Sequence, residues 1–169
     1  GRAGDWEGGY SERGGVGMLA GTTGITGVAI ARLPLLNGEI GLCPLPGAGD
    51  DFDAGLAAIL GWRPRLVLSL TPRPEMAALG AGALPEAVQG AGVVWRGFGI
   101  EDYGVPDPAS AALWQDLSRD LRGVLARGGR VLVHCRGGCG RTGMIVLRLM
   151  IEAGEPPDPA LARLRATRP

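Results

Sequence analysis

The sequence predicts an α/β fold in which a mostly parallel central sheet is flanked by helices on both faces. Apolar runs of four to six residues, the length of a buried strand, alternate with segments of helical character. Most residues of these runs are apolar, and helices separate the runs, which indicates a mostly parallel sheet covered on both faces. A chain of 169 residues can form one such domain with its covering helices.

The predicted elements follow one another along residues 28–169, which we expect to form the single domain. Strands are predicted at 28–36, 39–42, 66–70, 93–98 and 130–133, and helices at 52–60, 109–125, 144–151 and 159–166, with two further short segments at 74–79 and 84–89 between strands. Residues 1–27 are rich in glycine and polar side chains, and are predicted to be a loosely ordered arm.

The composition excludes several classes of protein. The 17 basic residues balance the 17 acidic ones, so no overall field favours nucleic acid or an anionic membrane as a partner. Every basic residue is arginine, which excludes a Schiff-base lysine. Three cysteines do not suggest a secreted disulfide framework. No run has the length of a membrane helix, and residues 1–27 lack the features of a secretory leader. A cytoplasmic location is therefore expected.

One loop carries most of the chemical information. Residues 134–143 read His-Cys-Arg-Gly-Gly-Cys-Gly-Arg-Thr-Gly, between a strand-like and a helix-like segment. Glycines in such a loop can turn successive N–H groups toward one centre, and the helix that begins near Arg141 adds its own unpaired N–H groups and the positive end of its dipole. This loop is predicted to bind a phosphate or another oxyanion through Arg136, Gly137, Gly138, Cys139, Gly140 and Arg141.

Cys135 and Arg141 are the candidate catalytic residues of the loop. Helix N-termini and guanidinium groups favour the thiolate form of a nearby cysteine, so Cys135 is predicted to act as a nucleophile. The planar fork of Arg141 can hold two oxygens of a phosphoryl group, which lysine cannot do. A thiolate that attacks phosphorus displaces an oxygen, and that oxygen needs a proton from a positioned acid.

The acid is expected in the turn-rich, acidic segment 99–107, where Gly104 and Pro106 delimit a loop able to close over a substrate. Asp102 is the favoured candidate. Asp107 is the alternative, but its position before Pro-Ala-Ser and a helical pattern is typical of a helix N-cap.

These motifs resemble those of the cysteine-dependent protein tyrosine and dual-specificity phosphatases. The signature of that superfamily is His-Cys, five residues, Arg, and Ser or Thr, all of which are present here. The segment Asp-Tyr-Gly-Val-Pro is similar to the family's acid loop, Trp-Pro-Asp-Phe-Gly-Val-Pro, with Glu101 where the family has proline. The Gly-Gly pair is most similar to kinase-associated dual-specificity phosphatases and small bacterial relatives. The resemblance covers roughly residues 28–169.

The resemblance implies a protein tyrosine phosphatase-like fold and a role for each site residue. Cys135 would be the nucleophile, Arg141 the phosphate clamp and Asp102 the general acid. Thr142 would assist breakdown of the phosphocysteine, and His134 would orient the loop and tune the thiol. The substrate would be a phosphorylated protein or peptide that carries phosphotyrosine, with phosphoserine and phosphothreonine as further candidates, and no cofactor or metal is implied.

Other features limit or qualify this hypothesis. His134 is the only histidine, which excludes a mechanism with two imidazoles and a multi-histidine metal site. Similar enzymes can carry a water-positioning glutamine beyond an Arg-Pro pair like Arg168-Pro169, and neither Gln89 nor Gln115 matches that position. Cys139 is either a filler of the loop or a partner that traps oxidised Cys135 as a disulfide.

Several alternatives stay open from the sequence. The loop could be only a tight connection, or a non-catalytic module that binds a phosphoprotein. Arsenate reductases also use Cys, five residues and Arg, but commonly near the start of the chain. Arg136 lies either at the rim of a substrate cleft or only at the solvated surface. Cys43, which follows an apolar run, is expected to pack in the core.

Overall fold

The computed structural model describes residues 29–47, 51–100, 108–137 and 140–167. In these ranges five strands form one sheet: β1 (Ala31–Leu35), β2 (Gly38–Pro44), β3 (Leu66–Ser69), β4 (Val94–Gly97) and β5 (Arg130–Cys135). The described α-helices are α1 (Phe52–Gly61), α2 (Arg73–Ala78), α3 (Leu84–Gly90), α4 (Ala111–Ala126), α5 (Gly140–Glu152) and α6 (Pro157–Thr167). The predicted strands and helices therefore exist, with shifted ends.

The sheet has the strand order β1-β2-β5-β3-β4, and β5 lies at its centre. β2, β5, β3 and β4 are parallel, whereas β1 runs antiparallel to β2. Only Leu36 and Asn37 connect β1 to β2, and such a short connection allows only an antiparallel pair. Leu36 takes a positive φ of 54° in this turn. The prediction of a mostly parallel α/β sheet is confirmed.

Helices cover both faces of the sheet, as the mostly apolar strands separated by helices predict. On one face Val131 and Val133 of β5 pack in a core with side chains from α4, α5 and α6. On the other face Leu132 packs with side chains from α1, α2 and α3. Successive residues of a strand point to opposite faces, so β5 contributes to both cores.

The start of α4 differs from the prediction. A 3₁₀ turn, Pro108–Ser110, precedes the helix, and its N-cap position is Ser110. The predicted cap at Asp107 is therefore wrong for this helix, and Asp107 itself lies outside the described residues. The fixed φ of proline suits the first residue of a 3₁₀ turn, which moves the start of the α-helix along the chain. Within the described part of the chain, no helix combines the length and apolar character needed to cross a membrane.

Candidate active site

Cys135 is the last residue of β5, at the carboxyl edge of the central strand, and α5 begins five residues later at Gly140. Its thiol is free and its side chain is 2% exposed. The N–H of Leu45 donates to the carbonyl of Arg136 (3.0 Å), which ties the start of the loop to the end of β2. The strand, glycine-rich turn and helix thus have the order that the motif predicts. Gly138 and Cys139 lie outside the described residues.

Arg141 lies in the first turn of α5 and is 4% exposed. Its Nη1 and Nη2 donate to the two carboxylate oxygens of Glu75 in α2, and each hydrogen bond has a length of 3.0 Å. Nη1 also donates to the carbonyl oxygen of Ile100, at a distance of 2.8 Å. This is the fork-to-fork geometry that makes arginine suitable for carboxylates and phosphates. Glu75 and Ile100 together fix the plane of the guanidinium at the carboxyl edge of the sheet.

The same contact involves Ile100, a described residue at the start of the predicted acid segment. Ile100 donates its N–H to the carbonyl of Leu70 (2.8 Å) while its own carbonyl accepts from Arg141. The chain that continues to the predicted acid therefore starts beside Arg141. Asp102, with the rest of 101–107, lies outside the described residues, and so its role stays a prediction.

His134 is fully buried and contacts the backbone of the neighbouring Cys135. Its Nδ1 lies 3.4 Å from the Cys135 carbonyl oxygen, and its Nε2 lies 2.5 Å from Oγ of Ser69 in β3. The Nε1–H of Trp95 in β4 donates to the same Oγ over 2.9 Å. Burial lowers the pKa of His134 to about 4; the hydrogen bond with Cys135 raises it and the charge of Arg141 lowers it further. The ring is therefore neutral at pH 7.

Two buried threonine hydroxyls near this edge have no hydrogen-bond partner among the described residues, those of Thr142 and Thr71. Thr142 lies in the first turn of α5, and Thr71 follows the carboxyl end of β3. Buried hydroxyls without partners are rare in folded proteins.

The remaining predicted residues have mixed environments. Arg136 and Gly140 are exposed and Gly137 is half-buried. Cys43 packs in the core, which confirms the prediction, and burial raises the pKa of its thiol, with a smaller contribution from the charge of Cys135. In the described ranges, no group of three or more acidic, histidine or cysteine side chains is arranged to hold a metal ion.

Comparison with known proteins gives sequence and structural neighbours. No protein-family profile matches the chain. It is 38% identical over 87 residues to "Protein tyrosine phosphatase domain-containing protein 1" of Mus musculus, and 37% identical over 87 residues to that of Bos taurus. These matches cover 51% of the chain but only 11% and 10% of the relatives, so the chain corresponds to about a tenth of their length.

The solved structure of kinase associated phosphatase, with its catalytic-site cysteine replaced by serine, superposes with a TM-score of 0.75 at 23% identity and covers 85% of each chain. The chain has the fold of the protein tyrosine phosphatases. Tk-PTP in its active form superposes with a TM-score of 0.60 at 22% identity, over 82% of this chain and 85% of that one. The resemblance to the cysteine-dependent phosphatase superfamily predicted from the motifs is thus confirmed.

The phosphatase fold brings to the site three residues that the sequence analysis missed, namely Glu75, Ser69 and Trp95. Glu75 lies 66 residues from Arg141 along the chain and Ser69 lies 65 residues from His134, while Trp95 lies 26 residues from Ser69 and reaches His134 through it. Ser69 lies in β3, which neighbours β5 in the sheet, Trp95 lies in β4 on the far side of β3, and Glu75 lies in the helix that follows β3. The only signal in the sequence was their place near predicted strand ends, since such ends meet at one edge of a parallel sheet.

Proposed function

We propose that the protein is a cysteine-dependent phosphatase that hydrolyses phosphotyrosine in a protein or peptide, with phosphoserine and phosphothreonine as further substrates of the same chemistry. The observation that carries the proposal is the position of Cys135 and Arg141 on either side of a glycine-rich turn between β5 and α5. The sequence similarity to proteins named for a tyrosine phosphatase domain supports it. A thiolate nucleophile also favours a reducing compartment such as the cytoplasm.

The proposed reaction has two steps, each of which forms one bond to phosphorus, breaks another and transfers one proton. The Cys135 thiolate forms a bond to phosphorus as the bond from phosphorus to the leaving oxygen breaks, and Asp102 gives that oxygen its proton. Asp102 then accepts a proton from water, whose oxygen attacks phosphorus and releases inorganic phosphate and the thiolate. Arg141 binds the oxygens on which charge moves in both steps. No metal or cofactor takes part.

Two further residues of the loop have supporting roles in this mechanism. Thr142, whose buried hydroxyl has no partner among the described residues, would donate a hydrogen bond to the Cys135 thiolate as it leaves. His134 is buried and neutral, and so it orients the loop without transferring a proton.

The test is hydrolysis of p-nitrophenyl phosphate across pH with EDTA present. Cys135→Ser is expected to abolish turnover, while Cys43→Ala, which removes a buried thiol outside the loop, retains it. Asp102→Asn is expected to lower kcat by about 10² to 10⁴ and to alter the dependence on pH, because a general acid contributes about that much. Glu101→Gln is the matched control.

An inactive parent that still binds phosphotyrosine peptides would contradict the proposal. It would instead favour a non-catalytic module that recognises a phosphoprotein through the same loop. Turnover that EDTA abolishes would also contradict it, since the mechanism uses only the residues of this chain.

A further inference from the structure

A line of three side chains connects the edge of the sheet to the Cys135 backbone. Trp95 in β4, Ser69 in β3 and His134 in β5 lie on neighbouring strands, with contacts of 2.9 Å between Trp95 and Ser69 and 2.5 Å between Ser69 and His134. Ser69 and His134 are directly opposite in the β3–β5 register, and both are fully buried. The third contact, 3.4 Å, joins His134 Nδ1 to the carbonyl of Cys135.

The indole of Trp95 is held in place from two sides. A Cβ atom on Gly97 would lie 2.7 Å from the Trp95 ring, so only glycine leaves room for the ring to lean along the strand toward Ser69. The Arg73 guanidinium lies over the other part of the ring, 5.3 Å from its centroid. A position fixed in this way presents the Nε1–H to Ser69 with little freedom to turn aside.

The proton order along the line follows from what each group can do. An indole N–H only donates and a carbonyl oxygen only accepts. His134 Nδ1 must therefore carry the proton that points to the Cys135 carbonyl, and a neutral imidazole then leaves Nε2 as an acceptor. Ser69 accepts from Trp95 and gives its single proton to Nε2. Every donor in the line thus points from Trp95 toward Cys135.

We propose that Ser69 and Trp95 are positioning residues that fix the Nδ1–H tautomer of His134 and thereby favour the thiolate form of Cys135. The Nδ1–H offsets the negative end of the Cys135 carbonyl dipole, next to the sulfur. In the other tautomer a nitrogen lone pair would face this carbonyl, and the potential near the sulfur would be more negative. The effect on Cys135 deepens the proposed function, because it rests on the nucleophilic role of this thiol.

The tautomer is tested first, because it does not depend on activity. His134 is the only histidine, so a chain labelled with ¹⁵N-histidine gives the ring signals of this one residue. A two-bond ¹H–¹⁵N correlation spectrum at pH 7 is expected to show a protonated Nδ1 and an unprotonated Nε2. A protonated Nε2 would overturn the proposal directly.

The effect on Cys135 is tested by alkylation with iodoacetamide across pH, read by mass spectrometry. Trypsin cleaves after Arg130 and Arg136, so the peptide 131–136 reports Cys135 without Cys43 or Cys139. Ser69→Ala is expected to slow the alkylation of Cys135 by about three- to tenfold at mildly acidic pH, the size of effect that one lost hydrogen bond produces. The midpoint of the pH profile should rise correspondingly.

Trp95→Phe keeps the ring but removes the N–H, and it is expected to have a smaller effect in the same direction. Trp62→Phe is the matched control, because the Trp62 Nε1–H has no partner among the described residues. If Ser69→Ala does not fold, Trp95→Phe and the spectrum of the parent still decide the matter. Equal alkylation profiles for Trp95→Phe, Trp62→Phe and the parent would overturn the role of Trp95.

The same experiment separates this inference from the proposed function. A slower alkylation of Cys135 in Ser69→Ala, together with a parent that does not hydrolyse p-nitrophenyl phosphate, would support the positioning role and contradict the phosphatase. Normal hydrolysis by the parent, together with unchanged alkylation in both Ser69→Ala and Trp95→Phe, would support the phosphatase and contradict the positioning role.

Discussion

Arg141 is held by Glu75 and by the carbonyl of Ile100, from parts of the chain that its own motif does not contain. The pair with Glu75 is partly buried, with side-chain exposures of 3% for Arg141 and 22% for Glu75. Ordering the guanidinium before substrate arrives lowers the entropic cost of placing it around a phosphoryl group. We therefore expect Glu75 to affect catalysis through Arg141.

Glu75→Gln is expected to lower kcat/KM for p-nitrophenyl phosphate by about ten- to a hundredfold, because it removes the charge and one of the two acceptors that orient Arg141. Steady-state kinetics measure the effect, and Cys135 alkylation should stay unchanged. Glu86→Gln, at an exposed pair with Arg73 in the same region, is the control. A rise in kcat/KM would show instead that Glu75 competes with the phosphoryl group for Arg141.

At the scale of elements, α5 joins the candidate site to the core. Its first turn carries Arg141, and its last residue, Glu152, contacts α4. Both carboxylate oxygens accept from the Trp114 Nε1–H, at 3.1 and 3.0 Å, and Oε1 accepts from the Ser118 hydroxyl at 2.6 Å. Burial raises the pKa of Glu152, but these bonds and the one from Arg148 outweigh it, so the pKa is lowered overall.

Glu152→Ala is expected to lower the free energy of unfolding by about 1 to 3 kcal/mol, because it leaves the buried Trp114 and Ser118 donors without an acceptor. Urea denaturation measures this change. Glu86→Ala is the comparison, since an exposed ion pair contributes only about 0 to 1 kcal/mol. Equal losses in the two variants would mean that the contact between α4 and α5 does not stabilise the fold.

At the scale of the whole molecule, β5 is the centre of both the sheet and the candidate site. It is bonded to β2 and β3, and its side chains enter both cores. His134 belongs to this strand and is buried without charge. A buried neutral histidine makes the stability of the entire fold depend on pH.

The direction in which stability changes with pH follows from the lowered pKa of His134, which is about 4 in the folded chain and 6.5 for an exposed histidine. Between these values the unfolded chain binds more protons, so the free energy of unfolding falls as the pH falls. The stabilisation is fully present above pH 6.5 and is lost toward pH 4, by about 3 kcal/mol.

Urea denaturation at several pH values should show that the free energy of unfolding falls more steeply with decreasing pH in the parent than in His134→Gln, which has no imidazole to protonate. The shared part of the loss reports the carboxylates, which both chains retain. Parallel curves for the two chains would mean that the pKa of His134 is the same in the folded and unfolded states.

Much of the fold could be read from the sequence, because buried strands and amphipathic helices leave periodic patterns. The apolar pattern of α5 begins only at residue 144, but the glycine-rich turn predicted a helix start near Arg141, and the helix begins at Gly140. The cap of α4 was misplaced, because a 3₁₀ turn and an α-helix share their first-turn residues.

The sequence by itself determined the α/β class and the strand, turn and helix around Cys135, and it predicted the chemistry that we propose for this loop. Those features depend on residues that are close together in the chain. Only the tertiary structure decided that Glu75 holds Arg141, and that Ser69 and Trp95 reach His134. These contacts depend on the strand order β2-β5-β3-β4, which places β3 beside β5 and β4 beside β3, although both precede β5 by tens of residues. Strand order is set by how the two cores pack, and no local pattern records it.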